Sequence, residues 1–105
     1  MTNMMSMMKK AAALQKDLER THKELADKTV EFSSGGGMIK VVAAGDGSVR
    51  SIKIDPKAID PAEPELLEDM VLAAVEGALK ASRDMAQQEM AKLTSGLGLP
   101  GMPFM

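Results

Sequence analysis

Apolar and polar positions alternate between Thr29 and Asp55, and two turn signals divide this stretch into three β-type runs. Gly35-Gly36 and Asp46-Gly47 each favour a two-residue loop that needs positive φ. Loops of that length define one antiparallel register, in which directly opposite residues share a face of the sheet. The predicted pairs are Val30 with Val41, Glu31 with Lys40, Phe32 with Ile39, Ile39 with Ile54, Lys40 with Lys53, and Val41 with Ile52.

The alternation makes one face of the predicted sheet apolar and the other mostly polar. A one-residue slip at either turn would place Ile39 and Val41 opposite polar positions, so both turns support the same register. The apolar face holds Val30, Phe32, Ile39, Val41, Ala43, Ile52 and Ile54, with Arg50 near its rim. The other face holds Glu31, Ser33, Lys40, Ser51 and Lys53, along with Met38, Val42 and Val49.

The stretch from Asn3 to Lys28 has the period of an α-helix. Its apolar positions recur in steps of three and four, a heptad stripe typical of a coiled-coil seam. Asn3 or Ser6 is a suitable N-cap, and the β-branched run that starts at Thr29 ends the helix. The stripe comprises Met4, Met7, Ala11, Leu14, Leu18, Thr21 and Leu25.

A second, longer helix is predicted from Pro61 or Pro64 to Leu93. Asp60 suits its N-cap, with Pro61 at the first helical position and Glu63 completing a capping box. At about 1.5 Å per residue, this helix is longer than the strands of a small sheet. Its distal half must therefore project beyond the sheet, into solvent or against a partner.

Together these elements predict an α+β fold of one domain over residues 1–95, ordered helix, three-stranded antiparallel sheet and long helix. Residues 96–105, rich in Gly, Pro and Met, are expected to form a flexible tail. A small sheet with one apolar face needs cover from helices or a second subunit, so a homodimer is predicted. The predicted core is Leu14, Leu18, Leu25, Val30, Phe32, Ile39, Val41, Ile52, Ile54, Leu67, Val71 and Ala74.

Composition narrows the class of protein. The chain has 105 residues, a formal net charge of −2 and no Cys. The lack of Cys excludes disulfides and thiolate metal sites, and it fits a reducing cytosol. No apolar run is long enough to span a bilayer, and residues 1–8 lack the basic segment of a secretory signal. We therefore expect no membrane partner.

No set of residues supplies acid, base and nucleophile roles. His22, the single His, has no Asp or Glu at a spacing that would indicate a catalytic pair. A packing or surface role is therefore the simpler interpretation. Gly35-Gly36-Gly37 lacks the Lys and Ser/Thr of a phosphate-binding loop, and a hairpin explains it better. The acids from Glu65 to Asp69 offset the helix dipole and need no metal. We therefore predict no enzyme activity, catalytic residue, metal, cofactor or small-molecule substrate.

Two groups of basic residues remain, both diluted by acids. Ordinary solvated helix faces would explain them, but the topology favours a phosphate-binding role. Because the first helix runs toward the sheet and the second runs away, Lys9, Lys10 and Lys92 are expected at one distal end. Lys40 and Lys53 on the polar sheet face form a competing surface. The first helix carries Lys9, Lys10, Lys16, Arg20 and Lys23, and the second carries Lys80, Arg83 and Lys92.

Several short segments occur in a distinctive order along the chain. They are Met7-Met8-Lys9-Lys10-Ala11, the Ser-Gly-Gly-Gly turn, Ile52-Lys53-Ile54-Asp55-Pro56, Leu67-Glu68-Asp69-Met70-Val71-Leu72-Ala73-Ala74, and Ser95-Gly96 with Leu99-Pro100-Gly101-Met102-Pro103-Phe104. In this order they resemble the YbaB/EbfC family of small bacterial nucleoid-associated proteins, over essentially the whole chain. The resemblance implies a homodimer with a central sheet and protruding, tweezer-like helices, DNA binding, and a nucleoid-bound location in the cytoplasm.

Two functional hypotheses follow. The first is a nucleoid-associated protein that binds duplex DNA as a homodimer, mainly through phosphates and with little sequence specificity, affecting nucleoid organisation and gene expression. Its predicted DNA contacts are Lys9, Lys10, Lys16, Arg20, Lys80, Arg83 and Lys92. The alternative is an interaction adaptor that docks on another protein through the Met-rich helix and the apolar tail. Loss of a protein partner on deletion of residues 96–105, with DNA binding intact, would favour the adaptor.

Overall fold

A computed structural model describes residues 3–96 and shows the predicted α+β fold. The sheet has three strands in the order β1-β2-β3, and both pairings are antiparallel. The elements are α1 (Met4–Asp27), β1 (Thr29–Ser34), β2 (Ile39–Ala44), β3 (Val49–Ile54) and α2 (Pro64–Gly96), with short 3₁₀ turns at Gly35–Gly37 and Pro56–Ala58.

The ends of α1 follow from local chemistry. The Asn3 side chain accepts a hydrogen bond from the Met5 amide (2.9 Å), which satisfies one of the free donors at the helix start. At the other end Lys28 has extended backbone, and its amide donates to the carbonyls of Glu24 and Leu25. The Arg50 guanidinium also donates to the Ala26 carbonyl (2.9 Å), which fixes the end of α1 to the sheet.

The first hairpin departs from the predicted register by two residues. All three glycines of Gly35–Gly37 have positive φ and form a 3₁₀ turn, so the loop is longer than two residues and Ser34 pairs with Ile39. A displacement of two keeps every side chain on its predicted face, because strand side chains alternate with period two. The observed pairs are Val30 with Ala43, Glu31 with Val42, Phe32 with Val41, and Ser33 with Lys40.

The second hairpin has the predicted pairs but a different turn. The Ala44 amide donates to the Ser48 carbonyl (2.8 Å), so the loop has one residue more than predicted. A bulge at Arg50 absorbs that extra residue, which restores the predicted register further from the turn. The bulge also pairs Val49 with Ala43, so Val49 lies on the apolar face and its predicted place on the polar face is wrong. The confirmed pairs are Ile39 with Ile54, Lys40 with Lys53, and Val41 with Ile52.

The core lies between α2 and the part of the sheet formed by β1 and β2. Gly77 lets α2 approach closely, because a Cβ at that position would overlap the ring of Phe32. The buried Ser82 hydroxyl donates to the Ala44 carbonyl (2.6 Å) where the sheet ends. The buried cluster is Ile39, Val41, Ala43, Ala58, Ala74 and Ala78.

Eight residues of the predicted core are at least half-buried, and four, including both on β3, are exposed. Leu25, Ile39, Val41 and Ala74 are buried, and Leu14, Val30, Leu67 and Val71 are half-buried. Four predicted core residues are exposed in the single chain: Leu18 (38%), Phe32 (42%), Ile52 (46%) and Ile54 (38%). On β3 the reason is that α2 covers β1 and β2, leaving the apolar side of β3 open.

The capping box predicted for α2 is also wrong. The helix begins at Pro64, because a proline disfavours helical backbone at the residue before it. Asp60 instead caps a separate turn, in which its carboxylate accepts from the Ala62 amide (3.0 Å). The helix ends at Gly96, three residues beyond the predicted Leu93, so the first residue of the flexible tail predicted for residues 96–105 is helical. The rest of that tail lies outside the described residues.

Candidate nucleic-acid interface

The first half of α1 extends alone beyond the rest of the described structure. Every residue from Asn3 to Ala13 is exposed, and burial on this helix begins only at Leu14. From there the seam continues through Thr21 and Leu25, both buried. About three turns of helix are therefore accessible from all sides.

This free segment is positively charged, although the whole chain is acidic. The first acidic residue in the sequence is Asp17, so the preceding residues carry Lys9, Lys10 and Lys16 with no carboxylate among them. The first turn of α1 likewise has no acid to offset the positive end of the helix dipole. This end of the chain therefore carries a local positive charge, although the formal net charge of the whole chain is −2.

The predicted contact residues fall into two groups. Arg20 pairs with Asp17 (3.0 Å) and Glu24 (3.8 Å), Lys80 pairs with Asp84 (3.2 Å), and Lys92 pairs with Glu89 (3.5 Å). These acids offset the local charge of their partners. The remaining predicted contacts form no ion pair with any carboxylate of residues 3–96. They are Lys9, Lys10, Lys16 and Arg83.

Glu89 connects α2 to the residue that follows the end of α1. Its carboxylate accepts a hydrogen bond from the Lys28 ammonium (2.9 Å) and also lies 3.5 Å from Lys92. The hydrogen bond from Lys28 lowers the pKa of Glu89 below its ordinary value of 4.5, and the charges of Lys28 and Lys92 act in the same direction. Sequence reasoning missed Lys28, because the pair joins residues far apart in the chain.

The polar face of the sheet has less negative charge beside its lysines than the sequence suggested. Lys40 lies opposite Lys53 as predicted, and both are exposed. The longer first loop places Glu31 opposite Val42, so Ser33 and not Glu31 lies opposite Lys40. This face therefore remains a competing surface for phosphates.

The described part of the chain offers no alternative chemical site. No group of His, Cys, Asp and Glu side chains there is placed to hold a metal ion. His22 is exposed on α1, and Gly35–Gly37 leads into a strand and not into the helix that a phosphate-binding loop requires. None of the helices in residues 3–96 is long and apolar enough to cross a membrane.

Comparison with known proteins decides the family. The model of the YbaB/EbfC DNA-binding family matches residues 1–97. The chain belongs to this family. Membership in this DNA-binding family confirms the resemblance and the prediction that the chain is not an enzyme.

Curated YbaB/EbfC relatives match over nearly their whole length. A nucleoid-associated protein of Pelotomaculum thermopropionicum is 49% identical over 100 residues, covering 95% of each chain. One from Moorella thermoacetica is 48% identical over 101 residues, covering 96% of this chain and 97% of the relative. A crystal structure of an uncharacterized protein from Helicobacter pylori superposes with a TM-score of 0.80 at 17% identity, covering 90% of this chain and 99% of the other. That structural likeness confirms the fold.

Proposed function

We propose that this YbaB/EbfC protein binds duplex DNA as a homodimer, mainly through phosphates and with little sequence specificity. The observation that carries the proposal is the free, acid-free start of α1 with Lys9, Lys10 and Lys16 exposed. A lysine ammonium binds a phosphate as a point charge and reads no base by itself. Contacts of this kind give affinity on any sequence and a strong dependence on salt.

The open side of β3 supports the homodimer. Ile52 and Ile54 lie on the apolar face of the sheet, where their pairing partners Val41 and Ile39 are fully buried under α2. Val49 (39% exposed) and Ile59 (53% exposed) add further apolar surface. A second copy that covers this side would complete the core and present two free α1 segments, related by a two-fold axis.

We also propose a location in the bacterial nucleoid, within the cytoplasm, and an effect on nucleoid organisation and gene expression. The proposal is supported by the relatives described as nucleoid-associated proteins. Binding that is governed by phosphates suits such a role, because it operates at many sites along the chromosome.

The test compares lysine variants at fixed salt on two duplexes of unrelated sequence but equal base composition. We expect wild type to bind both with similar affinity, and replacement of Lys9, Lys10 and Lys16 by Gln to weaken both equally. Replacing Lys80 alone by Gln is the matched control, because Asp84 already offsets its charge. Binding that tolerates the triple replacement but is lost when Lys40 and Lys53 become Gln would place the contact on the sheet.

The adaptor remains a second candidate because of the exposed methionines of α1. Met4 is 78% exposed and Met8 67%, and methionine surfaces adapt to varied protein partners. The apolar tail invoked by the same hypothesis lies outside the described residues. A purified protein without measurable affinity for either duplex would favour the adaptor over the DNA-binding role.

A further inference from the structure

Four methionines of the free α1 segment are exposed, and binding to phosphates does not explain why apolar side chains should be exposed there. The exposed fractions are 78% for Met4, 66% for Met5, 56% for Met7 and 67% for Met8. We call these four side chains the methionine sector. Contiguous exposed apolar side chains of this kind mark interaction surfaces.

The lysines border the methionine sector on both sides. At about 100° per residue, its four members span an arc of about 160° around α1. On the same wheel, Lys9 lies about 40° beyond Met5 outside one border, and Lys10 lies about 60° before Met7 outside the other. The free segment thus presents an apolar strip with one cation along each edge.

We propose that the methionine sector enters the major groove of duplex DNA and contacts thymine methyl groups, while Lys9 and Lys10 bind the phosphates of the two flanking strands. This inference rests on the proposed function and adds a contact surface to it. The groove is about 12 Å wide, and an α-helix with its side chains is about 10–12 Å across. The thymine C5-methyl is the apolar group that this groove presents.

Charge favours DNA over a second copy as the occupant of this surface. Two copies meeting through their methionine sectors would bring Lys9 and Lys10 of each chain together, with no carboxylate nearby to offset them. Duplex DNA supplies the opposite charge on both sides of its groove. The open side of β3 is a separate apolar surface for self-association.

The contact selects weakly among sequences. A methionine thioether is at most a weak hydrogen-bond acceptor, so the sector does not read the donor and acceptor pattern of the bases. It distinguishes duplexes only by their methyl groups. The expected result is a mild preference for thymine on top of binding governed by phosphates.

The experiment compares a thymine-containing duplex with the same duplex in which uracil replaces every thymine. This change removes only the methyl groups and leaves the phosphate charges unchanged. We expect wild type to bind the uracil duplex more weakly, by about fourfold for each methyl group that the helix covers. With Met4, Met5, Met7 and Met8 all replaced by Ala, the two duplexes should bind equally, with an unchanged salt dependence.

Two further variants separate the methionine contact from general effects on folding. Replacing the same four residues by Leu keeps the apolar surface and should keep the preference for thymine. Replacing the exposed Leu66 and Leu72 by Ala, on α2, should also leave it unchanged. Circular dichroism checks that each variant folds, and Ala is the best helix former for this segment.

Every other result of these binding measurements leads to a single conclusion. Salt-dependent binding of both duplexes by wild type with equal affinity would overturn the methionine contact and leave the phosphate contacts standing. A preference for thymine that survives in the Ala variant would also overturn it. Loss of self-association in the Ala variant would assign the sector to an interface between copies. Failure of wild type to bind either duplex would instead refute the proposed function, and this inference with it.

Discussion

At the scale of single residues, two close contacts hold α2 against the sheet. Gly77 leaves room for the ring of Phe32, and Ser82 donates to a backbone carbonyl at the end of β2. Neither contact is visible in the pattern of apolar positions, because each joins residues nearly forty or more apart in the chain. Both depend on the helix crossing β1 and β2 at a short distance.

Replacing Gly77 by Ala tests the first contact. Ala normally stabilises a helix relative to Gly, but here its methyl group would overlap the Phe32 ring. Overpacking of this kind costs about 1–3 kcal/mol, so urea denaturation should show a lower free energy of unfolding. Adding Phe32→Leu should recover part of the loss, and a Gly77→Ala protein at least as stable as wild type would contradict the packing described.

Replacing Ser82 by Ala tests the second contact. The change removes one of two hydrogen bonds to the Ala44 carbonyl, which still accepts from the Gly47 amide (3.0 Å), and should cost about 0.5–1.5 kcal/mol. Ser33→Ala is the matched control, because Ser33 is exposed and its removal should change stability by less than about 0.5 kcal/mol. Equal losses in the two variants would mean that the buried hydrogen bond has no special role.

At the scale of elements, the sequence predicted each helix and strand and most of the faces of the sheet, but not the loop lengths. The two residues beside the turns, Met38 and Val49, are the exceptions: Met38 packs against the core and Val49 pairs with Ala43, although both were predicted on the polar face. Local spacing could not show that Gly35–Gly37 forms a 3₁₀ turn, since loops that differ by two residues place the same side chains on the same face. Nor could it show that the extra residue in the second turn is absorbed at Arg50. Which strands α2 covers depends on its crossing direction, which periodicity does not contain.

The same limits apply to the candidate site. The sequence predicted exposed lysines on both helices, and the described structure confirms that exposure. A spacing of three or four residues allows every ion pair that Arg20, Lys80 and Lys92 form. Spacing alone does not show which of the allowed pairs form, because side-chain direction decides whether Lys92 reaches Glu89. The absence of acids before Asp17 was available in the sequence and is the signal that isolates the start of α1.

The Glu89 contact gives a prediction on pH at the scale of elements. Because the folded-state pKa of Glu89 is below 4.5, its contribution to stability is present above that value and is lost as pH falls through the lowered pKa. Wild type should therefore melt at a higher temperature than Glu89→Gln at neutral pH, and the difference should shrink in acid. Glu76→Gln, a change at an exposed position on the same helix, is the control. A difference that stays constant with pH would exclude the ionic contact with Lys28.

At the scale of the whole molecule, the open side of β3 and the free start of α1 give the chain two surfaces with different tasks. We propose that the apolar side of β3 serves self-association and that the α1 segment binds DNA. A dimer would double the number of phosphate contacts without lengthening the chain. The two surfaces can be tested independently, because they lie on different elements.

Replacing Ile52 and Ile54 by Lys tests the dimer. Both side chains are partly exposed in the single chain, so the change should block association while the monomer still folds. Sedimentation equilibrium should show a dimer for wild type and a monomer for the variant, and the wild-type melting temperature should rise with protein concentration. Ser33→Lys, on the opposite face, should remain dimeric. A monomeric wild-type protein at micromolar concentration would refute the homodimer.

The salt dependence of DNA affinity tests the central claim most directly. For wild type, the logarithm of the binding constant should fall linearly with the logarithm of salt concentration, by about 0.9 for each phosphate neutralised. Replacing Lys9, Lys10 and Lys16 by Gln should reduce that slope by about 0.9 for each contact removed, to the same extent on unrelated sequences. A slope that the triple replacement leaves unchanged would contradict phosphate binding at the start of α1.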